Sequence, residues 1–171
     1  MLKYLPFILL LVLTNCEGNT AARKAARGTN FVPDPNHIYF KNVRARHYRT
    51  TEITNRATLY HHADLYDSEA RLLAELVDNW IQDRALIRFG TRPEMANWQL
   101  AAKKTDGLAS IALTTPPTIG ELARLFGLLS SPTPLLLVTA TDTLVAFPNG
   151  AGRQEPRVVI NDYLRLVEYE E

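Results

Sequence analysis

The chain of 171 residues is poor in cysteine, in long apolar runs and in net charge. Its single cysteine, Cys16, excludes an intramolecular disulfide, so the fold depends on core packing and hydrogen bonds. The longest apolar run, residues 5–13, is well short of the roughly 20 residues that a membrane-spanning helix needs. A formal net charge of +1 gives no basic excess of the kind that nucleic-acid-binding domains carry. We therefore expect neither a disulfide scaffold nor a nucleic-acid partner.

Catalytic motifs are equally scarce. The four serines lie in no Gly-x-Ser-x-Gly context, and Ser68 is better explained as a helix cap. Residues 150–153 follow a predicted strand, but they lack the third glycine of a dinucleotide fingerprint and the Gly-Lys-Ser/Thr of a P-loop. Glycosidic chemistry stays open, because no spacing singles out a pair among four candidate carboxylates, Asp78, Asp83, Glu94 and Asp106. An enzyme is therefore the less favoured interpretation.

The N-terminus is the most informative stretch. Lys3 precedes the apolar residues 5–13, and the run stops just before Cys16, which is the order of a secretory signal peptide. The tetrapeptide Leu13-Thr14-Asn15-Cys16 resembles the lipobox of bacterial lipoproteins with a type II signal peptide. This resemblance implies cleavage between Asn15 and Cys16 and acylation of Cys16. Asn15 departs from the usual glycine, alanine or serine, and an ordinary secretory signal is the alternative.

Acylation of Cys16 would hold the chain at a membrane, because two or three acyl chains anchor stably where one chain is marginal. Only Glu17 is acidic just after Cys16, so the acidic export signals of some Gram-negative lipoproteins are missing. The resemblance thus implies a lipoprotein of the cell envelope, in the outer membrane and facing the periplasm. Residues 34–42 and 78–80 are also similar to uncharacterised lipoproteins of the Bacteroidota.

The composition divides the chain into three parts. Residues 1–15 are the predicted signal peptide, and residues 16–36, which are polar and lack apolar periodicity, are the predicted lipidated N-terminus and flexible tether. A coil of about 20 residues would span on the order of 25 Å. Residues 37–171 are predicted to form a single α+β domain, with two layers, antiparallel hairpins and two to four helices.

The first predicted hairpin joins residues 37–49 and 57–65. Its first strand changes phase between Phe40 and Val43, which we attribute to a bulge near Lys41-Asn42. Alternation in the second strand predicts two faces, one with Ala57, Leu59, His61, Ala63 and Leu65 and the other with Thr58, Tyr60, His62 and Asp64.

Residues 72–81 carry the strongest periodic signal. Their apolar positions at i, i+1, i+4, i+5, i+8 and i+9 predict one face of a helix that Asp67-Ser68 caps. The alternative is a pair of strands, residues 72–80 and 85–89, around a turn at Gln82-Asp83. After these residues, we predict a short helix over residues 93–100 and a strand over residues 108–113. A helix over residues 119–129, capped by Thr118, follows. The chain then continues with a hairpin of residues 135–139 and 143–147 and a final helix from Pro156.

The histidines His61 and His62 suggest a metal site at first, but adjacent residues of a strand point to opposite faces and would not share an ion. We therefore predict no metal and no cofactor. Core packing is the better interpretation of Trp80 and Trp98. An ion pair is expected on the hairpin, with Asp64 or Asp67 facing Arg44, Arg46 or Arg49.

The basic and aromatic residues of the first hairpin are the predicted interaction surface, since arginine and tyrosine are enriched at protein interfaces. This surface comprises Tyr39, Lys41, Arg44, Arg46, Tyr60, His62 and Asp64. The sequence thus predicts a lipid-anchored envelope lipoprotein that binds another protein as an accessory or structural subunit. The alternative is an envelope enzyme that acts on glycan or peptide through carboxylates the sequence does not place.

Overall fold

The computed structural model describes residues 35–53, 57–79 and 84–167. The predicted signal peptide, the cleavage and lipidation sites at Asn15 and Cys16, and nearly all of the tether lie outside the described residues.

A continuous helical stretch opens the described chain. Helix α1 (Pro35–Tyr39) runs into a π-helical turn (Phe40–Arg44) and a 3-10 turn (Ala45–His47), and we call residues 35–47 the N-terminal helical segment. The predicted strand over residues 37–49 and its bulge are therefore wrong. The physical reason is the burial of Phe40 at 2% exposure, because a helix turns this one ring inward while the neighbouring apolar side chains stay exposed.

The first sheet is an antiparallel meander in chain order. Its strands are β1 (Tyr48–Ile53), β2 (Ala57–His62), β3 (Leu72–Asn79) and β4 (Arg84–Thr91), with the short helix α2 (Ala63–Asp67) between β2 and β3. Strand β2 does belong to an antiparallel hairpin, with Tyr48 opposite His62, but its partner is β1 and not the predicted strand over residues 37–49, and residues 63–65 of the second predicted strand lie in α2.

The predicted helix over residues 72–81 is wrong, and the alternative with two strands is correct. Strand β3 lies between β2 and β4, and its side chains are buried on both faces, as Glu75 at 7% and Leu76 at 0% exposure show. A strand buried on both faces does not alternate, so its apolar residues can fall at helix-like spacing. Ser68 begins no helix, and it lies instead at the C-terminal cap of α2, where its hydroxyl donates to the carbonyl of Leu65 at 2.8 Å.

The second sheet has the strand order β6-β5-β7-β8. These strands are β5 (Gln99–Lys104), β6 (Gly107–Ile111), β7 (Leu135–Val138) and β8 (Thr143–Val145), which confirms the predicted strand near residue 108 and the hairpin after residue 135. The predicted short helix at residues 93–100 is wrong. Leu100 instead sits in β5, opposite Ile111 of β6 and Leu137 of β7, where all three side chains are buried.

Two longer helices complete the described fold. Helix α3 (Ile119–Ser130) begins as predicted at Thr118, whose hydroxyl accepts from the Glu121 N–H while the Glu121 carboxylate accepts from the Thr118 N–H. This reciprocal capping box satisfies two donors that the first turn leaves without helical partners. Helix α4 (Glu155–Leu166) follows a 3-10 turn (Pro148–Gly150) and has Pro156 in its first turn, as predicted.

One hydrophobic core joins both sheets to α3 and α4. The Arg71 and Leu72 N–H groups donate to the Ala146 carbonyl at 2.7 and 3.3 Å, which links the start of β3 to the end of β8. Trp98 packs partly buried against the core, as predicted, whereas Trp80 lies outside the described residues. The predicted α+β class is confirmed. The most deeply buried core side chains include Leu72, Leu76, Ile87, Leu100, Leu122, Leu125, Leu137, Val159 and Ile160.

A buried carboxylate fixes the N-terminal helical segment to α4. Asp162 is 5% exposed, and it accepts from Arg44 Nε at 2.9 and 3.1 Å and from the Tyr48 hydroxyl at 2.7 Å. We call Arg44, Tyr48 and Asp162 the Asp162 cluster. Burial and the adjacent carboxylate raise the pKa of Tyr48, so its hydroxyl stays protonated and donates. The hydrogen bond to Asp162 raises the pKa of Arg44, so the guanidinium keeps its positive charge.

His62 lies beside this cluster. Its ring packs edge-on against Tyr48 with centroids 5.2 Å apart, it is 7% exposed, and its Nδ1 has no hydrogen-bond partner among the described residues. Burial lowers the pKa of His62, and this effect outweighs the nearby carboxylates of Asp64, Glu155 and Asp162. The folded protein therefore favours the neutral form of His62.

We expect this neutral histidine to make stability depend on pH. An unfolded histidine has a pKa of about 6.5. Below that pH the unfolded chain binds a proton at His62 more readily than the folded protein does, because the folded pKa is lower. His62 should therefore cause no loss in the free energy of unfolding above about pH 6.5, and the free energy of unfolding should fall as the pH drops below that value. Urea unfolding at about pH 7.5 and about pH 5.5 measures this loss, which should be smaller in His62→Gln. His47→Gln, at an exposed position, is the control, and an equal loss in all three proteins would contradict the assignment.

Candidate functional site on the outer face of the first sheet

The first sheet presents a row of charged side chains on the face opposite the core. In the register of the four strands, Arg49 lies opposite His61, His61 opposite Glu75, and Glu75 opposite Arg88. The next row along the strands, which includes Tyr60, Leu76 and Ile87, belongs to the core. Since successive residues of a strand point to opposite faces, the charged row lies on the outer face.

Glu75 is the centre of this row. Its Oε1 lies 2.8 Å from His61 Nδ1, and its Oε2 lies 2.6 Å from Arg88 Nε. The Glu75 side chain is only 9% exposed, whereas the Arg88 side chain is 48% exposed. A buried carboxylate needs partners for both oxygens, and β2 and β4 provide one each. Glu75 therefore orders the side chains on both sides of it.

Tyr66 stands at the end of the row, on α2. Its ring is approached by the guanidinium carbons of Arg92 at 4.7 Å and Arg49 at 5.1 Å, and by the His61 ring at 5.4 Å. The Tyr66 side chain nevertheless stays 42% exposed. Arg92 Nη1 also donates to the Tyr66 carbonyl at 2.6 Å, and Arg49 Nη2 pairs with Asp67 at 2.6 Å. The predicted ion pair between Asp67 and Arg49 is thus confirmed, and Tyr66 is an exposed ring held in place.

An apolar row adjoins the charged one. Leu86, two residues before Arg88 on β4, is 44% exposed and lies opposite Val77 on β3. We call Arg49, Tyr66, Leu86, Arg88 and Arg92 the outer-face surface. Its three cationic side chains face two carboxylates, Asp67 and Glu75, so the surface has a modest excess of positive charge beside an exposed apolar group.

The seven residues of the predicted interaction surface do not form one exposed surface. Tyr60 and His62 are each 7% exposed and point towards the core, so the prediction that they face outward is wrong. Arg44 is engaged by Asp162. Tyr39, Lys41, Arg46 and Asp64 are exposed, the first three on the N-terminal helical segment and Asp64 on α2. Alternation separates the two faces of β2 correctly, but it does not show which of them packs on the core.

The described candidate carboxylates for catalysis come from different parts of the fold, Asp78 from β3, Glu94 from the connection between β4 and β5, and Asp106 from the turn between β5 and β6. Asp78 is 2% exposed beside Lys41 Nζ at 3.5 Å and His37 Nε2 at 3.3 Å, Glu94 and Asp106 are exposed, and Asp83 lies outside the described residues. A cavity of about 770 Å³ near the end of α3 is lined by residues that include no Asp, Glu or His. Within the described ranges, no group of three or more His, Cys, Asp or Glu could hold a metal ion.

Residues 150–153 have a structural role. Gly152 has a φ of +72°, and a Cβ there would lie 2.8 Å from the Cβ of Ala70, so the close approach needs glycine. Arg153 follows, and its guanidinium donates to main-chain oxygens at the end of α3 and just beyond it. The acceptors are the carbonyls of Leu128, Leu129, Ser131 and Thr133. These contacts explain the glycine at 152 and the arginine without a bound phosphate.

Comparison with known proteins gives no relative from which a function could be transferred. No family model, no curated protein and no solved structure matches the chain. In the part of the chain that the structure describes, no helix has the length and apolar character needed to cross a membrane. The function must therefore be inferred from the chain's own residues.

Sequence reasoning missed Glu75, Arg88 and Arg92. The signal for the outer face of β4 is present as the alternation Arg84-x-Leu86-x-Arg88, in which every second side chain is exposed. Glu75 has no such signal, because a buried carboxylate inside an apolar strand is explained only by its partners on the neighbouring strands.

We expect Glu75→Gln to lower the free energy of unfolding by about 1–3 kcal/mol. The amide keeps the shape of the side chain, but it removes the charge and turns an N–H₂ group towards either His61 or Arg88. Urea unfolding measures the change. Glu52→Gln, an exposed position on β1, is the matched control and should change stability by less than about 0.5 kcal/mol. Equal stability of the two variants would show that Glu75 does not order the row.

Proposed function

We propose that this protein is a lipid-anchored lipoprotein of the cell envelope that binds another protein through its outer-face surface. It acts as an accessory or structural subunit, in the outer membrane and facing the periplasm. Two independent features support the two halves of the proposal, the lipobox-like tetrapeptide for the anchor and the environment of Tyr66 for the binding surface.

The anchor depends on the sequence around Cys16. Leu13 and Thr14 fit the lipobox pattern, and Cys16 follows a signal-like apolar run over residues 5–13. Acylation would also remove the only free thiol of the chain, which is a liability in an oxidising compartment. Both considerations favour a lipid on Cys16.

The observation that carries the binding function is the exposed ring of Tyr66 between Arg49 and Arg92. Tyrosine and arginine are among the residue types that most often dominate binding energy at protein interfaces. A ring that is already held by two guanidinium groups and a main-chain bond loses little conformational freedom on binding, so more of the contact energy appears as affinity.

The charge of the outer-face surface indicates the chemistry of the partner. Arg49 and Arg88 use one nitrogen each in their ion pairs with Asp67 and Glu75 and are about half exposed, so their remaining N–H groups can reach a partner. Leu86 provides an adjacent apolar contact. A protein surface with carboxylates around an apolar centre would complement this arrangement.

A matched pair of tyrosines tests the binding surface. Tyr66 and Tyr39 are both 42% exposed, and replacing either by alanine should leave the fold intact. In a detergent-extracted pull-down of the full-length protein, we expect Tyr66→Ala to lose at least about tenfold of the captured partner, since alanine at a hot spot costs about 2 kcal/mol or more. Tyr39→Ala should retain it. Equal capture by both variants would overturn the assignment to the outer face.

Intact mass measurement of the same preparation tests the anchor. A chain that begins at residue 16 and carries the mass of two or three acyl groups is the expected result. A chain that begins at residue 16 without added mass, or a chain cleaved elsewhere, would contradict the lipid anchor. The test of the binding surface would remain valid in either case.

A further inference from the structure

We propose that the N-terminal helical segment, residues 35–47, docks on the surface of a bilayer that contains anionic lipids. This inference rests on the proposed lipid anchor, and it concerns a surface separate from the one assigned to the protein partner. The occupant is a lipid surface because apolar exposure, charge and position relative to the anchor all agree with one.

The segment exposes large apolar side chains in a short stretch. Ile38 is 45%, Tyr39 42% and Val43 36% exposed, and Val167 at the end of α4 is 37% exposed. The Arg165 guanidinium lies 5.8 Å from the Tyr39 ring, which places the end of α4 next to the segment. Apolar and aromatic groups of this kind partition into the boundary between headgroups and acyl chains.

The charge of the segment has one sign. Residues 35–47 contain Lys41, Arg44 and Arg46 and no aspartate or glutamate. Arg44 is engaged by Asp162, which leaves Lys41 and Arg46, both exposed, together with Arg165 on α4. Lys41 keeps 43% of its side chain exposed although its Nζ lies 3.5 Å from Asp78. Cations near a membrane are attracted by anionic headgroups, at about 1 kcal/mol per basic residue.

The position of the segment follows from the length of the chain before it. Residues 16–34 separate the proposed acylation site from Pro35, where α1 begins. As a flexible coil, these residues would span roughly 24 Å, so the lipid holds the start of the domain within that distance of the headgroups. Among the described elements, the one that follows the proposed anchor most closely along the chain is thus the one that exposes Ile38, Tyr39 and Val43.

The inner side of the segment is fixed to the rest of the domain. Phe40 packs on Tyr48 and Tyr60 with ring centroids 5.6 and 5.1 Å away, and Arg44 is fixed to Asp162. These contacts lie on the inner side, so the exposed apolar groups stay outside. Docking therefore needs no rearrangement of the domain.

The test uses an introduced thiol in the full-length protein. With Cys16 acylated, Ile38→Cys has a single free thiol, which is labelled with an environment-sensitive nitrobenzoxadiazole dye. Leu108→Cys is the matched control, because Leu108 is a 54% exposed apolar residue on β6 of the second sheet. Both proteins are reconstituted into phosphatidylcholine vesicles with about 30% phosphatidylglycerol and nitroxide-labelled acyl chains.

The expected result is quenching at residue 38 that exceeds quenching at residue 108 by about twofold or more, since only the former would enter the interface. Replacing Lys41 and Arg46 by glutamate should reduce the quenching at residue 38, and so should omission of phosphatidylglycerol. Equal quenching at the two positions, or none at residue 38, would overturn the proposal.

The number of dye molecules bound per chain tests the lipid anchor independently of membrane docking. Two labels per chain would mean that Cys16 is free, and the anchor would then fail. The comparison is in that case repeated with Cys16→Ser proteins added to preformed vesicles. Quenching at residue 38 but not at residue 108 would still support docking, and the absence of quenching would still overturn it.

Discussion

The carboxylate of Asp162 is the contact on which the N-terminal part of the domain depends. Its two oxygens share the Nε–H of Arg44, one of them also accepts from the Tyr48 hydroxyl, and the residue is 5% exposed. Removing one partner of such a buried pair is costly, because it leaves an uncompensated charge away from water. The same contact sets where the helical segment ends and β1 begins, since Arg44 and Tyr48 lie on either side of that junction.

Both proposed surfaces follow from this junction. On one side of it, the N-terminal helical segment keeps Ile38, Tyr39 and Val43 exposed. On the other side, β1 begins at Tyr48, whose ring packs on the core face, and so places Arg49 on the outer face with Tyr66. A shift of one residue in β1 would exchange these faces. The Asp162 cluster therefore fixes the register from which the outer-face surface is built.

Local signals explain what the sequence predicted correctly. The helix after Thr118 has its cap and its apolar face in neighbouring residues, and the hairpin of β7 and β8 has its turn between two apolar runs. Strand β3 was mistaken for a helix because its burial on both faces depends on β2 and β4, which are set by the tertiary structure. The prediction of the interaction surface is wrong for a similar reason. Alternation defines two faces of β2, but packing against the core determines that Tyr60 and His62 point inward.

Hydrogen exchange of the Asp162→Asn variant tests most directly whether this cluster holds the N-terminal helical segment. Asn161→Ala, at an exposed position on the same helix, is the control. We predict that amides of residues 36–47 exchange at least about tenfold faster in Asp162→Asn, since a lost charge-assisted contact is worth about 1.5–3 kcal/mol, while the amides of the second sheet keep their rates. Unchanged exchange in residues 36–47, or the same acceleration throughout the domain, would contradict this account.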